Sequence, residues 1–124
     1  MIETMSNIVI YEEDDLMRGL LEEWLTGAGY RVRRATAPAA PAPEDADLVI
    51  ANIYMPKHAG TRLVDQIRTA HPRTPVIAIS AQFRAGLSTA GTIAQSLGVA
   101  QVMAKPLTRA ALLIAVSAII GPAT

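Results

Sequence analysis

NIVIYEEDDLMRGLLEEWLTGAGY, residues 7–30, decides the fold. Asn7–Tyr11 is a short apolar run with β-branched residues, which predicts a strand. Four acids follow at once: Glu12, Glu13, Asp14 and Asp15. Then Leu16, Met17, Leu20, Leu21, Trp24 and Leu25 recur on one helical face, with Glu22 and Glu23 off it. Asp14 or Asp15 can cap the start of that helix, and Gly27 and Gly29 end it.

The same alternation runs down the rest of the chain. Tyr30–Arg34 (YRVRR) suits a second strand. Residues 35–43 (ATAPAAPAP) hold three prolines, Pro38, Pro41 and Pro43, so no regular helix runs through them. Leu48–Asn52 (LVIAN) is a third strand, apolar on both faces, and Tyr54–Gly60 is a loop. Thr61–Ala70 carries Leu63, Val64 and Ile67 at helical spacing, and Pro72 stops it. Pro75–Ile79 is a fourth strand, Ser80–Leu97 is polar and then helical, Val99–Ala104 is a fifth strand, and Thr108–Ile120 is a last helix.

Strands apolar on both faces, alternating with helices, predict an α/β chain with a parallel sheet covered on both sides. Sites in such sheets lie beyond the carboxyl ends of the strands, where the strand order reverses. The residues placed there are Glu12, Glu13, Asn52, Ser80 and Lys105.

The composition narrows the function. The 124 residues predict one domain, and 51% apolar with 18% charged residues suits a packed core. Eleven basic and eleven acidic residues balance, so the basic excess of a nucleic-acid binder is absent. That zero hides a division. All eleven acids precede residue 66, and residues 66–124 carry Arg68, Arg73, Arg84, Lys105 and Arg109 with no acid. There is no cysteine, which excludes disulfides, thiolate metal sites and cysteine nucleophiles. His58 and His71 are far apart, which argues against a zinc site. No targeting signal or membrane-length apolar run is present, so a cytoplasmic protein is expected.

Five segments in strand-end order carry a family resemblance: NIVIYEED, AGY at 28–30, DLVIANIYMPKHAG at 47–60, TPVIAISA at 74–81, and Lys105-Pro106. The chain resembles the receiver domain of two-component response regulators (CheY-like) over nearly its whole length. The resemblance implies a flavodoxin-like, doubly wound five-stranded sheet of order 2-1-3-4-5, here with a degenerate second helix, forming a single receiver-like domain over residues 1–124. In that family two acids after strand one hold Mg²⁺. An Asp ending strand three takes a phosphoryl group. A Ser or Thr ending strand four and a Lys before Pro contact its oxygens. Mg²⁺ prefers carboxylate oxygens, and the nucleophile must be an anionic carboxylate.

Carried over position by position, Glu12 and Glu13 match the acids, Ser80 the hydroxyl and Lys105 the lysine. Asn52 stands at the phosphoacceptor position, and an amide has no ionised oxygen to attack phosphorus. The switch aromatic of strand five falls on Val102. The resemblance with these departures implies an atypical receiver of two-component phosphorelay signalling. It is expected to be independent of phosphorylation, without enzymatic activity, and to act by protein contact. Glu12 and Glu13 are expected to pair with Lys105, with weak Mg²⁺ binding as the alternative and no other cofactor. His58, in the loop after strand three, is expected to be an exposed loop residue, with modification the alternative.

The last helix is the second informative stretch. After Arg109 only Ser117 is polar, so part of the helix is expected to be buried against something else. In the family, the face built from the last two helices and the strand between them is the usual dimer or partner surface. Leu112, Leu113, Val116, Ile119 and Ile120 are accordingly expected to form an interface with a histidine kinase, another regulator or a second copy, most simply as a homodimer. No nucleic-acid or membrane partner is expected. The alternatives are a small-ligand binder or enzyme on the same sheet, or a receiver belonging to a longer regulator.

Overall fold

The computed structural model describes residues 6–35, 46–53, 59–80, 98–104 and 107–121. Among them, five strands form one parallel sheet in the order β2-β1-β3-β4-β5. β1 is Asn7–Tyr11, β2 Arg31–Ala35, β3 Leu48–Asn52, β4 Val76–Ser80 and β5 Gln101–Ala104. Three helices accompany them: α1 (Asp15–Gly27), α2 (Ala59–Ala70) and α3 (Arg109–Ile120). This is the expected flavodoxin-like order. The proline-rich stretch and the polar stretch after Ser80 lie outside the described residues.

Alternation along the strands builds two cores. Ile8 and Ile10 of β1, Leu48 and Ile50 of β3, and Ile77 and Ile79 of β4 face one side, where Leu21 and Leu25 of α1 and Leu112 and Val116 of α3 close over them. Val9 and Tyr11 of β1, and the Val and Ala residues of β3 and β4, face the other side, against Val64 and Ile67 of α2. β3 and β4 are buried at every position, as central strands of a two-sided sheet must be.

Local chemistry sets the helix ends. Asp14 caps α1, its Oδ1 accepting from the N–H groups of Leu16 at 2.9 Å and Met17 at 3.3 Å. At the other end Gly29 takes φ 102°. Its N–H bonds the Thr26 carbonyl, and the Tyr30 N–H reaches back to Leu25, which closes a Schellman motif. Thr108 caps α3 through the Ala111 N–H at 3.1 Å. The Tyr30 hydroxyl donates to the Gly121 carbonyl at 2.9 Å, tying the end of α3 to the entry of β2.

The structure corrects the expectation for α3. Leu112 and Val116 are 0% exposed and belong to the core of the chain itself, so they cannot meet a partner. Leu113, Ile119 and Ile120 are partly buried against the same core. The outward face carries Ala110, Ala111, Ile114 and Ala118 instead, and Ile114 is 69% exposed. An all-apolar helix hides which face is outward, and the sheet below decides it. α2 begins two residues before the expected Thr61. Ser80 ends β4 and does not begin the following segment.

Candidate functional site

β1 and β3 are neighbours in space, and the chain leaves β1 for β2 on one side and enters β3 on the other. The order reverses between them, which places a crevice at their carboxyl ends. Glu12 follows β1, Asn52 ends β3 and Ser80 ends β4, so three of the expected site residues come to one edge on adjacent strands. All three are buried: Glu12 is 5% exposed, Asn52 7% and Ser80 1%.

The central contact is a hydrogen bond. Asn52 Nδ2 donates to Glu12 Oε1 at 3.1 Å. The same Oε1 accepts from the Asp14 backbone N–H at 3.0 Å. The carboxylate therefore has two N–H donors on one oxygen. Asn52 meets it with a neutral donor.

The four consecutive acids separate into distinct environments. Glu12 turns inward. Glu13 is exposed, so the two glutamates do not act as a matched pair. Asp14 is engaged in the cap. Asp15 pairs with Arg18 at the helix start. Arg18 also donates from Nη1 to the Glu12 carbonyl at 3.1 Å, which fixes the turn that carries Glu12. That role was not read from the sequence, although the spacing of Arg18 from the acids gave a signal for it.

Val102 is buried in the core on the α2 side, packed among aliphatic residues. Lys105, the expected partner of Glu12, lies outside the described residues, as does His58. Among the described residues no group of three or more His, Asp or Glu side chains is arranged to hold a metal ion.

A second buried polar contact was missed by the sequence reading. The Tyr11 hydroxyl lies 2.9 Å from His71 Nε2, with both side chains buried. Burial pushes the His71 imidazole below its usual range and the Tyr11 phenol above its own. Tyr11 directly precedes Glu12, so this contact stands behind the site on the α2 side.

The family model "Response regulator receiver domain" matches residues 8–117. The chain is 36% identical over 84 residues to the DNA-binding transcriptional regulator NtrC of Rhizobium meliloti, covering 64% of this chain and 17% of that protein. It is 34% identical over 110 residues to the Regulator of RpoS of Escherichia coli, covering 80% of this chain and 30% of that protein. It thus spans less than a third of the length of either relative. Among solved structures, the HemR receiver domain of Leptospira biflexa superposes with a TM-score of 0.72 at 26% identity, covering 93% of this chain and 94% of that one. The receiver domain of the sensor histidine kinase PA1611 of Pseudomonas aeruginosa, a structure with a magnesium ion in its active-site cleft, gives 0.75 at 22% identity, covering 95% and 99%.

Proposed function

We propose that this chain, which belongs to the response regulator receiver domain family, is an atypical receiver that works by protein contact and without accepting a phosphoryl group. The observation that carries this reading is the Asn52–Glu12 hydrogen bond. At the position where the family's chemistry needs a carboxylate nucleophile, the chain offers an amide, whose nitrogen donates and whose oxygen is neutral. The carboxylate beside it is engaged by that amide and by a backbone N–H.

The donor set also fits Mg²⁺ poorly. Mg²⁺ demands near-ideal octahedral oxygen coordination and uses one or two carboxylates beside phosphate. Here one carboxylate oxygen already takes two N–H donors, Glu13 is exposed, and Asn52 turns its nitrogen inward. The reading therefore needs no divalent ion and no catalysis by this chain.

The role left to the fold is to present a surface. The candidate partners are a histidine kinase, another regulator or a second copy. The uncharged outward face of α3 around Ile114 is the surface best suited to bury against one. The test is intact mass after incubation with acetyl phosphate and Mg²⁺, with Asn52→Asp alongside. The reading expects no added phosphoryl mass on the wild type. An adduct on the wild type overturns it. A gain confined to Asn52→Asp shows that the amide alone silences the site.

A further inference from the structure

The core on the α2 side is aliphatic except at one place. β3, β4 and β5 contribute only Val and Ala to it, Ile53 follows β3 into it, and α2 contributes Val64 and Ile67. β1 inserts Tyr11, whose hydroxyl meets His71 Nε2 at 2.9 Å. The rings meet edge to face, with centroids 6.0 Å apart and planes at 74°. His71 extends the last turn of α2, its N–H bonding the Ile67 carbonyl at 2.8 Å, and its own carbonyl accepts from the Thr74 N–H. One side-chain bond thus joins the carboxyl end of α2 to the end of β1.

Among the described residues, the groups around this bond offer no counter-charge. Tyr11 is the titratable side chain that β1 presents. On α2, Arg68 lies one turn back with its guanidinium against Gly98, and Asp65 is exposed. Arg73, in the turn that follows, is exposed. Asp47, ahead of β3, accepts from the Asn7 N–H. No ion pair to His71 is formed among the described residues, and burial is the cause of its lowered affinity for a proton.

We propose that the Tyr11–His71 pair is an acid-sensitive latch that holds the end of α2 against the sheet. In the neutral tautomer with its proton on Nδ1, His71 accepts from the Tyr11 hydroxyl. A proton on Nε2 reverses the bond: Nε2–H donates to the Tyr11 oxygen, and the phenol proton loses its acceptor. The same proton places a positive charge against an aliphatic core with no carboxylate facing it among the described residues. Acidification therefore opens this end of α2 first. The latch is independent of the reading of Asn52.

The sign follows from linkage. The unfolded chain takes the proton near the ordinary histidine value of about 6.5, and the folded chain takes it lower. Stability is complete above about pH 6.5, falls as pH drops towards the folded value, and levels off below it. Between the two values the unfolding constant rises by up to about tenfold per pH unit.

The experiment is done on the full chain in three readouts. The His71 ring is titrated by NMR. The unfolding midpoint is followed across that pH range for wild type and His71→Gln, which can still hydrogen-bond but does not titrate. Amide exchange at His71 and Thr74, corrected for intrinsic rates, is compared with exchange in α1. The expected results are titration below about 6.5, a flattened slope in His71→Gln, and early loss of protection at His71 and Thr74 with α1 retained. Titration at or above the ordinary value, an unchanged slope in the variant, or equal loss of protection in α1 overturns the latch. If His71→Gln does not fold, the wild-type titration and exchange decide.

Discussion

Replacing Asn52 by Asp turns the central bond of the site into a repulsion. In the wild type the amide donates to Glu12 at 3.1 Å, and both side chains are buried. A hydrogen bond to a charged acceptor contributes about 1.5–3 kcal/mol. Two unit charges about 4 Å apart at an effective dielectric near 20 repel by about 4 kcal/mol, part of which a shared proton relieves. The expected loss at neutral pH is roughly 3–5 kcal/mol. That is a large share of the roughly 5–15 kcal/mol typical of a domain. The pH dependence has a definite sign. Two adjacent carboxylates raise the affinity of the folded pair for a proton, so the folded state holds protons that the unfolded state has released. The deficit therefore grows as pH rises from about 4 towards neutrality, up to the folded pair's upper value. Mg²⁺ should recover part of it by restoring a cation between the carboxylates. The assay is denaturant unfolding followed by the fluorescence of Trp24, the single tryptophan, which α1 packs against the core. A variant as stable as wild type at neutral pH, with the same pH slope and no response to Mg²⁺, refutes the reasoning.

Two further substitutions test the two faces of α3. Leu112→Ala should destabilise the monomer by about 2–5 kcal/mol, because Leu112 is buried in the core. Ile114→Glu should leave stability within about 0.5 kcal/mol and abolish any self-association seen by sedimentation, since Ile114 faces outward. At Gly98, which has φ 73°, an added Cβ would sit 2.6 Å from Nη1 of Arg68. Gly98→Ala should cost about 1–2 kcal/mol from backbone strain. Adding Arg68→Ala should relieve the collision and leave the strain, as a double-mutant cycle in thermal unfolding would show.

The limits of β1 and β3 were legible to the residue, because a central strand buried on both faces is an unbroken apolar run closed by polar residues. The limits of β2 shift by one residue and β5 starts two residues later than expected, where less buried strands carry a weaker pattern; β4, buried throughout, shifts by one because Pro75 before it and Ser80 at its end blur the edges of its apolar run. The gathering of Glu12, Asn52 and Ser80 was legible too, since parallel strands bring their carboxyl ends to one edge. The division of the acids was not. Glu12 and Glu13 are chemically alike, and only the turn after β1 sends one inward and the other into solvent. α3 failed for a related reason. Leu112, Leu113 and Ile114 are equally apolar, so hydropathy names no inward face, and the position of the sheet selects Leu112 and Val116. Tyr11 and His71 stand 60 residues apart. No local pattern joins them, and only the packing of α2 and β1 into one core makes them partners.

The proposed function can be held to a quantitative condition. A domain that signals by contact needs its binding surface present most of the time. Holding two conformations at about 99:1 requires roughly 2.7 kcal/mol of bias, since each factor of ten is about 1.4 kcal/mol. A charge-assisted bond such as Asn52–Glu12 contributes about 1.5–3 kcal/mol if it forms in one conformation only. One such bond can therefore supply the whole bias that a phosphoryl group and an ion would otherwise provide. Val102 works in the same direction. It packs as a small aliphatic side chain, and it has no ring whose rotation could report on the site. Under the proposal, the chain replaces a conditional interaction with a permanent one. The Asn52→Asp variant then differs from wild type in two linked ways. It is less stable without the ion, and it regains a dependence on the ion that the wild type does not need.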